Sequence, residues 1–205
     1  MRIVIPFKAS NPKSRLSNIL NAEERRKLAE LMLLDVVEVA RSFGRVVVLT
    51  NASISVDAEV VRDDSDLDSA INKELLDTPV AIIMSDLPLL NHDTLRRFFS
   101  SNGDVVIAPG RKGGTNMLLV RKKGFRVSYH YGSFFKHLNF ARENGFEVSV
   151  FDSFFSSVDI DDEDDLLELL LHGSGKRSCE FLKRIGFSVK FEKTPTIERR
   201  FFMQS

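Results

Sequence analysis

Four runs of apolar residues recur along the chain, and the segments between them carry apolar residues at helical spacing. The runs cover residues 2–5, 45–50, 80–84 and 104–109. Continuous apolar runs are typical of strands that are buried on both faces of a sheet. Strands that alternate with helices favour a largely parallel sheet with helices on both faces. The sequence therefore predicts an α/β fold.

The helices carry recognisable start and stop signals. Asn21 is predicted as an N-cap, because Glu24 stands at the third helical position, and Gly44 is predicted to end this helix. The other predicted helices cover residues 67–76, 91–100, 133–144 and 162–172. Further short strands are predicted at residues 58–61, 117–120 and 147–151, and a polar loop is predicted at residues 110–116.

Gly173-Ser174-Gly175 is the best candidate for a boundary between two parts of the chain. It divides a main domain, residues 1–172, from an appendage, residues 173–205. The appendage is predicted to hold a short helix at 179–185 and an alternating strand at 187–191. Such a piece is too small to fold alone. We expect it to pack on the body or on a partner subunit.

The composition excludes several classes of protein and site. The 205 residues include 29 basic and 29 acidic ones, so a net charge of zero gives no long-range attraction to nucleic acid or anionic membrane. A single cysteine, Cys179, excludes a disulfide framework and a thiolate metal cluster. No apolar run approaches the roughly 20 residues that span a bilayer, and the chain starts with a strand rather than a signal peptide. The sequence predicts a soluble cytoplasmic protein without nucleic-acid or membrane partners.

Carboxylates follow two of the predicted strands, where α/β proteins bind their ligands. Asp86 comes after the third apolar run, and Asp159 and Asp161 follow a later strand. Magnesium prefers hard oxygen ligands, commonly one or two carboxylates with phosphate oxygens and water. These three residues therefore predict a magnesium site. Two alternatives stay open, since Asp161 also fits the N-cap of a helix starting at Asp162, and Asp86 fits a turn before Pro88.

Basic residues gather in the loop that follows the first strand. Lys8, Lys13 and Arg15 lie there, at the strand end where an anion would bind. We interpret them as ligands for phosphate groups, and together with the carboxylates they suggest a magnesium-nucleotide site. A plain solvated surface is the alternative, because most lysine pairs have no other role.

Two further segments offer contacts to a phosphate. In residues 113–116, glycines let backbone N–H groups approach an anion closely, and Thr115 adds a hydroxyl donor. Gly132 and Ser133 begin a predicted helix, whose free N–H groups and dipole favour an anion. An ordinary turn and an ordinary serine cap explain the same residues. The acidic run 63–68 is typical of a solvated helix start.

These motifs also occur in a specific order. Along the chain they are Pro6-Phe7-Lys8 with Lys13-Ser14-Arg15-Leu16, Asp86-Leu87-Pro88, Gly114-Thr115-Asn116, Gly132-Ser133-Phe134 with His137, and Asp159-x-Asp161 with Asp165-Leu166. The ordered set resembles the 2-phospho-L-lactate guanylyltransferase family over residues 1–172. The resemblance implies a Rossmann-like nucleotidyltransferase fold of the glycosyltransferase-A type, with a mostly parallel mixed sheet. It also implies transfer of GMP from GTP to 2-phospho-L-lactate, or to phosphoenolpyruvate, in coenzyme F-420 biosynthesis, with release of pyrophosphate.

The resemblance also implies roles for individual residues. Its metal ligands are Asp86, Asp159 and Asp161, with Mg²⁺ or another hard divalent cation as cofactor. Its catalytic residues are Lys8, Lys13, Arg15 and Asp86; its nucleotide-binding residues are Pro6, Lys8, Lys13, Ser14, Arg15, Asp64 and Asp68; its acceptor-binding residues are Thr115, Gly132 and Ser133. The family's Gly-Leu-Asn stretch near the guanine is Asp66-Leu67-Asp68 in this chain, a departure that concerns base specificity. A homodimer is expected.

The chemistry that these residues predict needs no general base. A phosphate monoester is already mostly dianionic near neutral pH, since its second pKa is about 6. The barrier to the reaction comes from repulsion between two polyanions and from the negative charge that builds on the leaving pyrophosphate. Bound cations offset both charges and align the reacting groups. Three alternatives stay open: another nucleotidyltransferase, an Asp-x-Asp sugar transferase of the same fold, and a catalytically silent nucleotide-binding module.

Overall fold

A mixed sheet of seven strands forms the centre of the protein in a computed structural model that describes residues 1–8 and 12–200. The strands of this sheet are β1 (Arg2–Phe7), β2 (Arg45–Thr50), β3 (Glu59–Arg62), β4 (Val80–Ile83), β5 (Val105–Pro109), β6 (Thr115–Val120) and β7 (Val148–Val150). Two more strands, β8 (Phe187–Lys190) and β9 (Thr196–Arg199), pair as a hairpin. The helices are α1 (Ala22–Ala40), α2 (Leu67–Glu74), α3 (His92–Phe99), α4 (Ser133–Glu143), α5 (Phe154–Ser157), α6 (Glu163–His172) and α7 (Arg177–Arg184).

The order of the strands creates a crevice beside β1. The sheet runs β3-β2-β1-β4-β6-β5-β7, and only β6 is antiparallel to its neighbours within it. After β1 the chain moves outward through β2 and β3, and it then returns to the other side of β1 as β4. The carboxyl ends of β1 and β4 therefore flank a topological switch point, where open α/β sheets bind ligands. The predicted α/β fold with a mostly parallel mixed sheet is confirmed.

Alternating residues of the strands bury against helices on both faces of the sheet. In β1, Ile3 and Ile5 belong to the core under α1, α3, α6 and α7, whereas Val4 belongs to the core under α2 and α4. All three side chains are fully buried. The near-continuous apolar composition of the inner strands follows from this burial on two faces.

Capping explains where two of the helices begin. Asn21 accepts a hydrogen bond from the Glu24 backbone N–H, and the Glu24 side chain accepts one from the Asn21 N–H, which is the predicted capping box. The alternative that Asp161 caps the later helix is wrong, because Asp162 takes that position. Asp162 is extended and accepts from the Asp165 N–H at 3.2 Å, so α6 begins one residue later, at Glu163.

The predicted loop 110–116 ends earlier than expected. Thr115 pairs with Pro109 across the turn between β5 and β6, so Thr115 and Asn116 belong to a strand. The Gly113 N–H donates to the Gly110 carbonyl within this turn. The sequence did not predict that the strand starts at Thr115, because polar residues are typical of loops. Thr115 and Asn116 are nevertheless buried, and their side chains form hydrogen bonds with other side chains.

The segment from α7 to β9 packs against the main body. Cys179, Phe181 and Leu182 of α7 lie in the same core as α1, and the buried Asp35 carboxylate of α1 accepts hydrogen bonds from the start of α7. The division of the chain at residue 173 stays a prediction, and residues 201–205 of the predicted appendage lie outside the described part.

No helix in the described ranges is long and apolar enough to cross a membrane.

Candidate active site

The two loops that carry the predicted metal ligands meet at the switch point, because a backbone hydrogen bond joins them. The Ile160 N–H donates to the Asp86 carbonyl at 3.1 Å, which ties the segment before α6 to the loop after β4. Ile160 itself is buried, so Asp159 and Asp161 project on either side of an anchored residue. The arrangement brings carboxylates from two distant parts of the chain to one edge of the sheet.

Lys13 lies between two of these carboxylates. Its Nζ donates to Asp86 Oδ2 at 2.7 Å and to Asp161 Oδ1 at 2.9 Å. Burial lowers the pKa of Lys13, but the two carboxylates more than offset this, so its pKa lies above the ordinary value. Lys13 also has a φ of 53°, which is rare for a residue with a side chain and is unique among the non-glycine residues that the structure describes.

The charge of Lys13 in turn lowers the pKa of Asp161. Burial raises the pKa of Asp161, and the Lys13 ammonium, followed by Arg15, brings it below the ordinary value. Arg15 is largely exposed, and its Nη1 lies 3.5 Å from Asp161 Oδ2. Asp161 is therefore held as a carboxylate near neutral pH.

Asp159 has the opposite electrostatic environment. Burial raises its pKa, and the charge of Asp86 raises it further, against a hydrogen bond from Asn116. The Asn116 amide lies at the start of β6 and donates to Asp159 Oδ1 at 3.2 Å and to the Ser156 carbonyl at 3.1 Å. Asp159 is thus a carboxylate that additional positive charge would stabilise.

A second layer of charge supports the Asp159–Asp161 segment; Asp165 belongs to the motif set, but the sequence did not predict its contacts with this segment. Asp165, buried in α6, accepts from the backbone N–H groups of Asp161 and Asp162 at 2.9 and 3.0 Å. Arg111 and Lys112, from the turn after β5, form ion pairs with this carboxylate. The spacing from Asp162 to Asp165 fits a capping box, which is the signal that indicates the backbone contacts of Asp165.

A cavity of about 620 Å³ opens beside Lys13. Predicted residues at its wall include Pro6 at the end of β1, the exposed Lys8, and Asp64. Its apolar lining includes Ala29, Met32, Leu49, Ala70 and Met84, and its other lining residues include Thr50, Asn51, Ser65 and His130. A largely apolar cleft with polar groups at its rim is typical of sites for small molecules.

Ser14 and Asp68, which were also predicted for nucleotide binding, lie outside the wall of this cavity. Ser14 opens a 3-10 turn, and its carbonyl accepts from the Ser17 N–H. Asp68 accepts from the Tyr129 N–H at 2.7 Å and lies 3.5 Å from His130 Nε2. His130 lines the cavity, and the sequence did not suggest it.

The predicted acceptor residues meet next to Asn116, at the start of β6. Ser133 Oγ lies 3.3 Å from Thr115 Oγ1, and both side chains are buried. Gly132 has a φ of 68° and occupies the N-cap position of α4, where this left-handed conformation favours glycine. His137, one turn into α4, places Nδ1 2.9 Å from Thr115 Oγ1.

The donor set fits a hard divalent cation. Asp86 and Asp161 already share a cation, the Lys13 ammonium, and Asp159 is a neighbouring carboxylate with a raised pKa. Oxygen ligands of this kind are those that magnesium takes. In the described ranges no three acidic, histidine or cysteine side chains come together closely enough to hold a metal ion; Lys13 Nζ lies between Asp86 and Asp161.

Comparison with known proteins identifies the family of the chain. A model of the family described as "Guanylyl transferase CofC like" matches residues 1–204. The chain belongs to this family. A relative from Archaeoglobus fulgidus, named 2-phospho-L-lactate guanylyltransferase, is 65% identical over 205 residues and is covered completely, as is this chain. The predicted family is therefore confirmed, and the match extends past residue 172, where the motifs ended.

Solved structures support the fold alone. One from Desulfovibrio desulfuricans G20, described as a nucleotide-diphospho-sugar transferase, aligns with a TM-score of 0.75 and 15% identity over 89% of this chain and 94% of the other. A nucleotidyl transferase from Methanothermobacter thermautotroptrophicus aligns with a TM-score of 0.54 and 15% identity, over 89% and 98% of the two chains. These likenesses agree with the α/β nucleotidyltransferase fold.

Proposed function

We propose that this protein transfers GMP from GTP to the phosphate of 2-phospho-L-lactate, producing lactyl-2-diphospho-5′-guanosine and pyrophosphate in coenzyme F-420 biosynthesis. The observation that supports the proposal is that Lys13, Asp86 and Asp161 come together at the wall of the cavity. The name of the 65% identical relative supports both substrates.

In this proposal a phosphate oxygen of the acceptor attacks the α-phosphorus of GTP. The bond between that phosphorus and the oxygen bridging to the β-phosphate breaks, and pyrophosphate leaves with the electron pair. The acceptor phosphate is already dianionic, so no residue needs to remove a proton. Lys13, Lys8 and Arg15 bind the triphosphate and offset its charge, and they thereby reduce the repulsion between two polyanions.

Asp86, Asp159 and Asp161 would hold magnesium in this proposal. When bound, the metal ion supplies positive charge that draws electrons from the phosphoryl group and stabilises the leaving pyrophosphate. The chain's own contribution is to hold the three carboxylates at the strand ends. Asn116 and Asp165 fix the segment that carries two of them.

The cavity takes the nucleoside in this proposal. Pro6 and the apolar lining bind the faces of the base and ribose, and Asp64 is an exposed carboxylate at the wall that can accept hydrogen bonds from a purine. Ser14 and Asp68 act indirectly, since Ser14 follows Lys13 in the turn and Asp68 lies 3.5 Å from His130 at the cavity wall. Thr115, Gly132 and Ser133 bind the acceptor, with hydroxyl and backbone donors directed at its phosphate.

Pyrophosphate release in the presence of magnesium tests the proposal. GTP and ATP are each offered with 2-phospho-L-lactate, phosphoenolpyruvate or 3-phosphoglycerate. We expect release with GTP and 2-phospho-L-lactate. Absence of release in every pairing would refute the proposal. Turnover with a different acceptor alone would show that this acceptor, and not 2-phospho-L-lactate, is the substrate.

Carboxamide variants test the site itself. Asp86→Asn and Asp159→Asn keep the side-chain shape but remove the charge, and we expect each to lower kcat at least 100-fold without unfolding the protein. Asp57→Asn is the matched control, because Asp57 is highly exposed and precedes β3 at the opposite edge of the sheet. Full activity in either site variant would remove that residue from the site.

The assembly and the location are part of the same proposal. We propose a homodimer in the cytoplasm that binds neither nucleic acid nor membrane, as the charge balance predicts. Light scattering coupled to gel filtration measures the assembly. A monomer at working concentration would refute the dimer and leave the reaction unaffected.

A further inference from the structure

His137 is the most deeply buried histidine in the described part of the chain, with 1% of its surface exposed. It lies in α4, beside the acceptor residues rather than among them. Its ring packs edge-on against Tyr129 and Phe125, at centroid distances of 5.1 and 6.0 Å. Both ring nitrogens have partners, so the hydrogen positions can be worked out.

The backbone determines which nitrogen carries the proton. The Ser128 N–H points at His137 Nε2 across 2.9 Å, and a backbone N–H can only donate. Nε2 must therefore be the acceptor. The pKa of His137 is lowered to about 4, mainly by burial, so the ring is neutral and its single proton is on Nδ1. Nδ1–H then donates to Thr115 Oγ1 at 2.9 Å.

This direction determines what the two hydroxyls can do. Thr115 and Ser133 together have two hydroxyl protons, and one of them is used in the hydrogen bond between the two oxygens. Because the ring donates rather than accepts, neither proton is used on His137. One proton is left to donate outward. If Nδ1 were an acceptor, Thr115 would give its proton to the ring instead.

We propose that His137 is a positioning residue that keeps the Thr115–Ser133 pair a net hydrogen-bond donor toward the phosphate of the acceptor substrate. A phosphate dianion only accepts hydrogen bonds, so a pair of this polarity selects it. This inference depends on the acceptor site of the proposed function. His137 itself does not touch the substrate.

Two near-isosteric variants separate positioning from packing. His137→Asn keeps an N–H donor close to the position of Nδ1, and His137→Leu has a similar size but no donor. Both leave the Ser128 N–H without the ring acceptor. We expect His137→Leu to raise the KM for 2-phospho-L-lactate about 10-fold or more, with the KM for GTP changed less than about twofold. We expect His137→Asn to restore most of the acceptor affinity.

Equal increases in acceptor KM for both variants would overturn the proposal, because a structural role alone predicts that result. Tyr129→Phe is the matched control: it removes a buried hydroxyl that has no hydrogen-bond partner among the described residues and lies beside the same ring, and we expect unchanged constants. Thr115→Val separates the two proposals. If it leaves the acceptor KM unchanged, the acceptor site of the proposed function fails. If it raises this KM and His137→Leu does not, only the role of His137 fails.

The unaltered protein offers a second test that does not depend on the folding of a variant. Nitrogen-15 NMR of the histidine rings distinguishes a protonated from an unprotonated ring nitrogen. In the protein without bound substrate at pH 7, we expect the buried His137 to carry its proton on Nδ1. Detection of the Nε2–H form would overturn the proposal.

Discussion

Acid should destabilise this protein through His137, and the structure allows the size of the effect to be worked out. Burial holds the ring neutral in the folded state, with a pKa of about 4 against an ordinary value of 6.5. The charge of Asp68 raises this pKa and that of Lys136 lowers it, but burial is the largest influence. The unfolded chain therefore binds a proton at a higher pH than the folded chain does.

The sign of the effect follows from this difference. Stability from the neutral ring is fully present above pH 6.5 and is lost as the pH falls toward 4, since acid favours the unfolded state that binds the proton. The full shift corresponds to about 3 kcal/mol, and the part lost between pH 7 and pH 5 is about 2 kcal/mol. Carboxylates add their own acid dependence, so a variant without the histidine provides the reference.

Urea unfolding at pH 7 and pH 5 measures this contribution. For the unaltered protein we expect the free energy of unfolding to fall by about 2 kcal/mol more than for His137→Asn over this interval. Tyr129→Phe keeps the histidine and contacts the same ring, so it should keep the full dependence. Equal pH dependence in the unaltered protein and in His137→Asn would refute the argument that His137 is buried and neutral.

Three other perturbations test contacts elsewhere in the fold. Lys13→Met removes the ammonium between two partly exposed carboxylates. We expect urea unfolding in metal-free buffer to show that the free energy of unfolding falls by about 2 kcal/mol. An unchanged free energy would contradict a stabilising role of these ion pairs. Asn21→Ala breaks the capping box of α1 and should lower the midpoint of thermal unfolding, with a cost of about 1 kcal/mol that Asn21→Ser largely restores. Asp35→Ala leaves the N–H groups at the start of α7 without their acceptor and should lower the free energy of unfolding by about 3 kcal/mol. Limited proteolysis should then cut the segment after Gly173 first. Equal resistance of this segment and the main body would count against the role of Asp35 in holding α7.

Much of the fold was predictable because its signals are local. Apolar runs buried on two faces identified β1, β2, β4 and β5 within one or two residues, and Asn21 with Glu24 identified the start of α1. The errors occurred where polar side chains serve a distant partner. Thr115 and Asn116 resembled a loop, although they begin β6, because their polar groups bind His137 and Asp159.

The amino-acid sequence by itself determined the α/β class, the family, and the identity of the acidic and basic motifs, because strand patterns and motif order are properties of the linear chain. Only the tertiary structure decided which of these groups touch. The tertiary structure placed Lys13 between Asp86 and Asp161, which are 73 and 148 residues away along the chain. It placed Asp68 in contact with Tyr129 and His130. Contacts over such separations follow from strand order and helix packing, which spacing along the chain does not contain. The proton position on His137 likewise depends on a backbone N–H nine residues away, in a loop that folds back on α4.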